Sequence, residues 1–135
     1  MKGLPVAIRL LDPPLHEFLP QDKAIQQVIA DELDVPVRVV ADTVASLHEV
    51  NPMLGLRGCR LGITQPLIYD MQVQAIIEAV RDAQRDGLKP NAEIMIPLVG
   101  TIDELRPMRR RIEAQIERFN LEKRAKVKVK IGTMI

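Results

Sequence analysis

At 135 residues and 47% hydrophobic content, the chain is sized for one ordinary domain with a core of reasonable volume. A formal charge of +1 and 2% aromatic content argue against nucleic-acid binding, which rests on a basic footprint and stacking platforms. The lone Cys59 excludes an internal disulfide and any cysteine-built metal site. No apolar run approaches the ~20 residues that span a bilayer, and Met1-Lys2-Gly3-Leu4-Pro5 lacks the apolar stretch of a secretion signal, so a soluble, cytoplasmic protein without a membrane partner is expected.

Pro5 to Leu11 is a short branched apolar run stopped by Asp12-Pro13-Pro14, and reads as a buried strand ending near Arg9. Asp22 is placed to cap a helix through about Leu33, with Ile25, Val28 and Ile29 at helical spacing. A second short helix is expected over Thr43 to Val50, closed by the turn Asn51-Pro52. Gly58 to Ile63 is too short to classify as strand or helix. In Thr64-Gln65-Pro66, threonine suits a cap and proline a first helical turn. The long helix that follows runs to about Asp86, with Ile68, Met71, Ile76, Val80 and Ala83 on one face and Asp86-Gly87 as the stop.

Glu93 to Val99 reads as a strand with Pro97 near its end and Gly100 permitting a sharp exit. Leu105, Met108, Ile112 and Ile116 stripe a helix from about Ile102 to Phe119, and Lys126 to Met134 forms the last strand. Its lysine–valine alternation places Lys126 and Lys128 near an exposed end and Ile131 to Ile135 in the buried layer. Strands alternating with helices imply an α/β fold with parallel pairing and right-handed crossovers, about four strands in all. A small open sheet and half of an eightfold barrel satisfy this pattern equally.

Charge is uneven: residues 103–135 hold ten basic and five acidic side chains, whereas residues 1–50 hold four and eight. Arg106, Arg109, Arg110 and Arg111 on the predicted helix, with Lys123, Arg124, Lys126, Lys128 and Lys130 around the last predicted strand, make a solvated face or a contact with other parts of a larger protein, or else an anion-binding patch. Two further arginine-bearing segments stand beside tight turns, Val6-Ala7-Ile8-Arg9-Leu10-Leu11-Asp12-Pro13-Pro14-Leu15-His16-Glu17-Phe18 and Asn51-Pro52-Met53-Leu54-Gly55-Leu56-Arg57-Gly58-Cys59-Arg60-Leu61. Guanidinium groups are always charged and present planar paired donors, so two that converge suit a small doubly anionic metabolite. The alternative is that Arg9 and Arg57 pair with carboxylates such as Asp12 or Glu17 and tie loops down.

These segments, with Glu93-Ile94-Met95-Ile96-Pro97-Leu98-Val99-Gly100 and Ile131-Gly132-Thr133-Met134-Ile135, resemble the pyruvate phosphate dikinase family from Gly3 to the last residue. The resemblance implies that residues 1–135 are a fragment of the C-terminal barrel that binds phosphoenolpyruvate and pyruvate, a partial (β/α)8 TIM barrel. By residue-to-residue match it implies Arg9 and Arg57 as substrate-binding residues, with Arg60 as a less certain neighbour. Leu56 stands where family members commonly carry histidine. The resemblance also implies a phosphohistidine domain of the same enzyme as partner and magnesium held by residues beyond Ile135; a barrel cut after half its strands leaves sheet edges unpaired near Ile8 and Ile131, so a homo-oligomer is expected. His16 and His48 are then neither of them the phosphorylated histidine, Cys59 is a packing residue, and the chain alone is inactive. Two other readings remain: the similar barrel of phosphoenolpyruvate synthase, and a free-standing anion-binding or interaction module contacting partners through Arg106 to Arg111.

Overall fold

The computed structural model describes residues 3–48 and 55–135. In chain order the elements are β1 (Pro5–Arg9), a 3-10 turn (Leu15–Phe18), α1 (Lys23–Leu33), α2 (Val37–Ser46), α3 (Gly58–Thr64), α4 (Pro66–Arg85), β2 (Asn91–Ile96), α5 (Ile102–Lys123) and β3 (Lys130–Thr133). They divide into two compact units, Pro13–Leu56 and the remainder.

The larger unit is α/β. Its parallel sheet has the order β1-β2-β3, with Ile8, Ile94 and Ile131 in one cross-strand row and Arg9, Met95 and Gly132 in the next. Rows alternate between faces. Ala92, Ile94 and Ile96 are buried with Tyr69, Val73 and Ile77 of α4 and Met108, Ile112 and Phe119 of α5, and Ile8 and Ile131 pack at the margin of that core. The opposite face carries Ala7, Arg9, Glu93, Met95, Lys130 and Gly132, where Lys130 Nζ meets Glu93 Oε1 at 3.1 Å. Within the larger unit α4 and α5 pack on the first face only, and this second face carries the charged side chains.

Three strands are present among the described residues where about four were expected, because Gly58 to Thr64 is helical. Gly58 has φ +54°, and a Cβ there would stand 3.0 Å from Leu98 Cβ. A Cβ on Gly62 would meet the Tyr69 ring at 2.7 Å and Met108 Cε at 2.8 Å. Glycine therefore lets α3 close onto α4 and α5 without steric conflict. Thr64 ends α3 instead of capping α4, and its hydroxyl donates back to the Arg60 carbonyl at 3.1 Å. The buried face of α4 is Tyr69, Val73, Ile76, Ile77 and Val80, while Met71 of the expected stripe is exposed.

Helix α5 starts at a capping box: Thr101 Oγ1 accepts from Glu104 N, and Glu104 Oε2 accepts from the amides of Thr101 and Gly100. The last strand is shorter than expected. Before it, Val127 is buried, but the Asn120 side chain accepts from its N–H at 2.9 Å and donates to its carbonyl at 3.0 Å, replacing a strand partner. Lys126 and Lys128 are exposed as anticipated, yet Ile131 is only half-buried and Ile135 fully exposed. A sheet margin cannot enclose them.

In the smaller unit α1 packs against α2. Asp22 caps α1 by accepting from Ala24 N at 2.7 Å, but Gln26 and Ala30 are the buried positions, and Ile25 and Val28 are exposed. Gln26 turns inward because its Nε2 reaches the Pro20 carbonyl at 2.8 Å. Helix α2 begins at Val37, earlier than the expected Thr43; the end of that expected helix at Glu49 and Val50, and the Asn51-Pro52 turn, lie outside the described residues. The rings of His16 and His48 are stacked obliquely with centroids 5.3 Å apart.

Candidate functional site

Beyond the carboxyl ends of the strands, the larger unit brings Arg9, Asp12, Arg57 and Met134 together. Leu10 N donates to the Met95 carbonyl at 3.0 Å, extending the strand pairing past Arg9. Helix α4 then seizes Leu11 at both backbone groups: Gln72 Oε1 accepts from Leu11 N at 2.9 Å and Tyr69 Oη donates to Leu11 O at 2.7 Å. The next residue, Asp12, is consequently delivered buried, with its carboxylate turned to the arginines.

Arg57 lies at the N-cap of α3 in extended backbone, and the Cys59 amide bond to the Pro97 carbonyl at 2.9 Å fixes that helix start to the loop after β2. The guanidinium of Arg57 donates twice to Asp12, from Nε to the backbone carbonyl and from Nη2 to Oδ2, both at 3.2 Å. Arg9 Nη1 approaches the same Oδ2 at 3.4 Å and the Met134 sulfur at 3.9 Å. Both sequence-predicted arginines are thus gathered on one carboxylate oxygen, although 48 positions separate them in the chain. Arg57 is the sheltered member and Arg9 the exposed one, with side-chain exposures of 22% and 52%.

The pairing with Asp12 that sequence offered as an alternative is therefore present, and it is the same feature that brings the two cations together. Two cations balanced by one carboxylate leave a local excess of one positive charge, a setting that attracts a further anion. Missed in the sequence were Tyr69 and Gln72, which place Asp12; the only tyrosine in a nearly aromatic-free chain was the available signal.

Cys59 is fully buried, and burial first, then the nearby Glu104 charge, push its thiol up to about 11, with Arg60 opposing. It is a packing thiol, not a nucleophile. The basic stretch of α5 is largely neutralised locally: Arg106 pairs with Asp103 and Arg109 with Glu113, while Arg111 grips Asp70 through two donors, Nε at 2.6 Å. That supports the solvated-face reading over an anion patch. Among the described residues no group of three or more His, Cys, Asp or Glu is arranged to hold a metal ion, and Asp12 is committed to arginines. These residues do not fit a magnesium site. No described helix is long and apolar enough to cross a membrane.

Comparison with known proteins agrees with this picture. Residues 1–135 match the family described as PEP-utilising enzyme, PEP-binding domain. The chain is 44% identical over 136 residues to the pyruvate, phosphate dikinase of Rickettsia conorii, covering 100% of this chain and 16% of that protein. It is 48% identical over 138 residues to the chloroplastic pyruvate, phosphate dikinase 1 of Arabidopsis thaliana, covering 100% of this chain and 14% of the relative. The Flaveria trinervia chloroplastic enzyme gives 48% over 139 residues, again 14% of its length. The chain thus spans only 14–16% of the length of these relatives. With its whole length matched, it belongs to the PEP-binding domain family of PEP-utilising enzymes.

Proposed function

We propose that this chain supplies the phosphoenolpyruvate- and pyruvate-binding part of a pyruvate phosphate dikinase, which interconverts ATP, phosphate and pyruvate with AMP, diphosphate and phosphoenolpyruvate. The observation that carries the reading is the convergence of Arg9 and Arg57 on one oxygen of Asp12 at the carboxyl ends of parallel strands, the end at which barrel enzymes carry their chemistry. Arg57 orients the bound anion from a fixed position, and Arg9 offsets charge on the phosphoryl oxygens during transfer. The three-stranded parallel sheet with helices packed on one face is read as a segment of a TIM barrel. Its partners are a phosphohistidine domain that delivers or removes the phosphoryl group and a second copy of the enzyme, in the cytoplasm. Magnesium, ATP binding and histidine phosphorylation are assigned to other parts of the dikinase.

The test is a graft of residues 1–135 into the Rickettsia conorii dikinase in place of the aligned stretch. The graft should form pyruvate from phosphoenolpyruvate, AMP and diphosphate, and Arg9→Ala or Arg57→Ala should each lower kcat/KM for phosphoenolpyruvate about 10²-fold while ATP-dependent histidine phosphorylation survives. A graft that is phosphorylated from ATP yet makes no pyruvate overturns the reading. Arg60→Ala is the comparison and should have the weakest effect.

A further inference from the structure

Among the described residues Asp12 is the group shown touching both arginines, and its environment is unusual for a residue that only ties a loop. Its side chain is 9% exposed, so its charge is withdrawn from water and depends on its partners. Only one of its oxygens is used: Oδ2 serves both arginines, and the buried Oδ1 has no partner among the described residues. The two arginines are held unequally. Arg57 is anchored to Asp12 at two points, one of them the backbone carbonyl, while Arg9 has one longer approach to Asp12, a weak contact with the Met134 sulfur and an outward, half-exposed side chain.

We propose that Asp12 is a positioning residue for the site: its carboxylate fixes Arg57 as the rigid half of the anion clamp and parks Arg9 as the half that leaves when a phosphorylated ligand arrives. The inference rests on the function proposed above and goes beyond it by assigning the order in which the clamp is used. A phosphate group offers more charge and more acceptor oxygens than a carboxylate that has one oxygen in use, so it displaces Asp12 from Arg9. It does not displace Asp12 from Arg57, because the bond from Arg57 Nε to the backbone carbonyl is independent of the carboxylate. Leu11, pinned by Tyr69 and Gln72, keeps that carbonyl where Arg57 needs it.

Asparagine and alanine at position 12 separate this role from a structural one. Asparagine keeps an oxygen for Arg57 Nη2 but removes the charge that competes for Arg9; alanine removes both. In the grafted dikinase, Asp12→Asn should lower KM for phosphoenolpyruvate about 3- to 10-fold with kcat no higher, and Asp12→Ala should raise KM by at least about 10-fold. The double variant Asp12→Ala/Arg57→Ala should be no worse than Arg57→Ala, since the two residues act as one unit. A loop-tying role predicts that both single variants bind more weakly. If Asp12→Ala does not fold, Asp12→Asn alone decides: an unchanged or raised KM overturns the proposal. A wild-type graft that cannot use phosphoenolpyruvate overturns the functional reading and this inference with it, whereas a working graft with unresponsive Asp12 variants overturns only the inference.

Discussion

The phenol of Tyr69 donates to the carbonyl of Leu11 across 2.7 Å, joining the core helix α4 to the residue immediately before Asp12. Burial pushes that phenol well above its ordinary pKa, so the proton stays on the oxygen and the bond persists across the working pH range. The position of the arginine cluster is in this way set from inside the core.

Tyr69→Phe deletes only that donor and leaves the Leu11 carbonyl without its partner. The expected cost is about 1–2 kcal/mol of stability, read by urea denaturation of the 135-residue chain. A variant as stable as wild type would show that the carbonyl is readily hydrated and that Gln72 alone holds Leu11.

Removing one or the other arginine should affect folding unequally. Arg57→Ala strips the better-anchored cation from a buried carboxylate and should cost about 2–3 kcal/mol. Arg9→Ala removes a half-exposed partner and should cost under about 1 kcal/mol, as surface ion pairs do. Thermal melts of the two variants measure the order; equal losses would mean that Asp12 does not distinguish its partners.

Gly62→Ala places a methyl group into the Tyr69 ring and the Met108 terminus. Methionine can yield but the buried ring cannot, so about 1–3 kcal/mol should be lost, despite alanine's better helix propensity. Stabilisation of the chain by this change would refute the close packing of α3 on α4.

The raised thiol of Cys59 makes stability depend on alkaline pH. The unfolded thiol loses its proton near 9 and the folded one near about 11, so the contribution is fully present below pH 9 and is lost as pH climbs through 11. At most about 3 kcal/mol is involved. Urea melts of wild type and Cys59→Ala between pH 8 and 11 isolate it: the wild type should lose stability faster. Rapid reaction of native Cys59 with a thiol reagent at pH 8 would contradict its burial.

Much of the fold was legible because its signals are local. The Asp12-Pro13-Pro14 stop set the end of β1 at Arg9, Asp86-Gly87 closed α4, and Asp22 capped α1. Gly58 to Ile63 was ambiguous because six residues carry too little periodicity, and what decides them is the fit of Gly62 beneath Tyr69, a contact invisible in the chain. Burial in α1 followed Gln26 and Ala30 rather than Ile25 and Val28 because tertiary hydrogen bonding to Pro20 overrode hydrophobicity. The Thr101–Glu104 capping box is legible as a threonine followed three residues later by glutamate. At the site, both arginines were identifiable as residue types beside turns, but no spacing rule links Arg57 to a carboxylate 45 positions earlier, so their sharing of one oxygen emerges only from the folded chain.

The row Arg9, Met95, Gly132 runs across the sheet face turned away from α4 and α5, with its bulk graded from one margin to the other. Adjacent strands stand about 4.8 Å apart, so the missing side chain at position 132 leaves a shallow floor roughly 10 Å from the Arg9 backbone. A Cβ built there meets nothing within 4 Å. Position 132 is therefore an orthogonal handle: enlarging it to valine fills space over the floor without touching the core, so any loss of ligand affinity with melting temperature preserved would mark that floor as ground the ligand itself occupies.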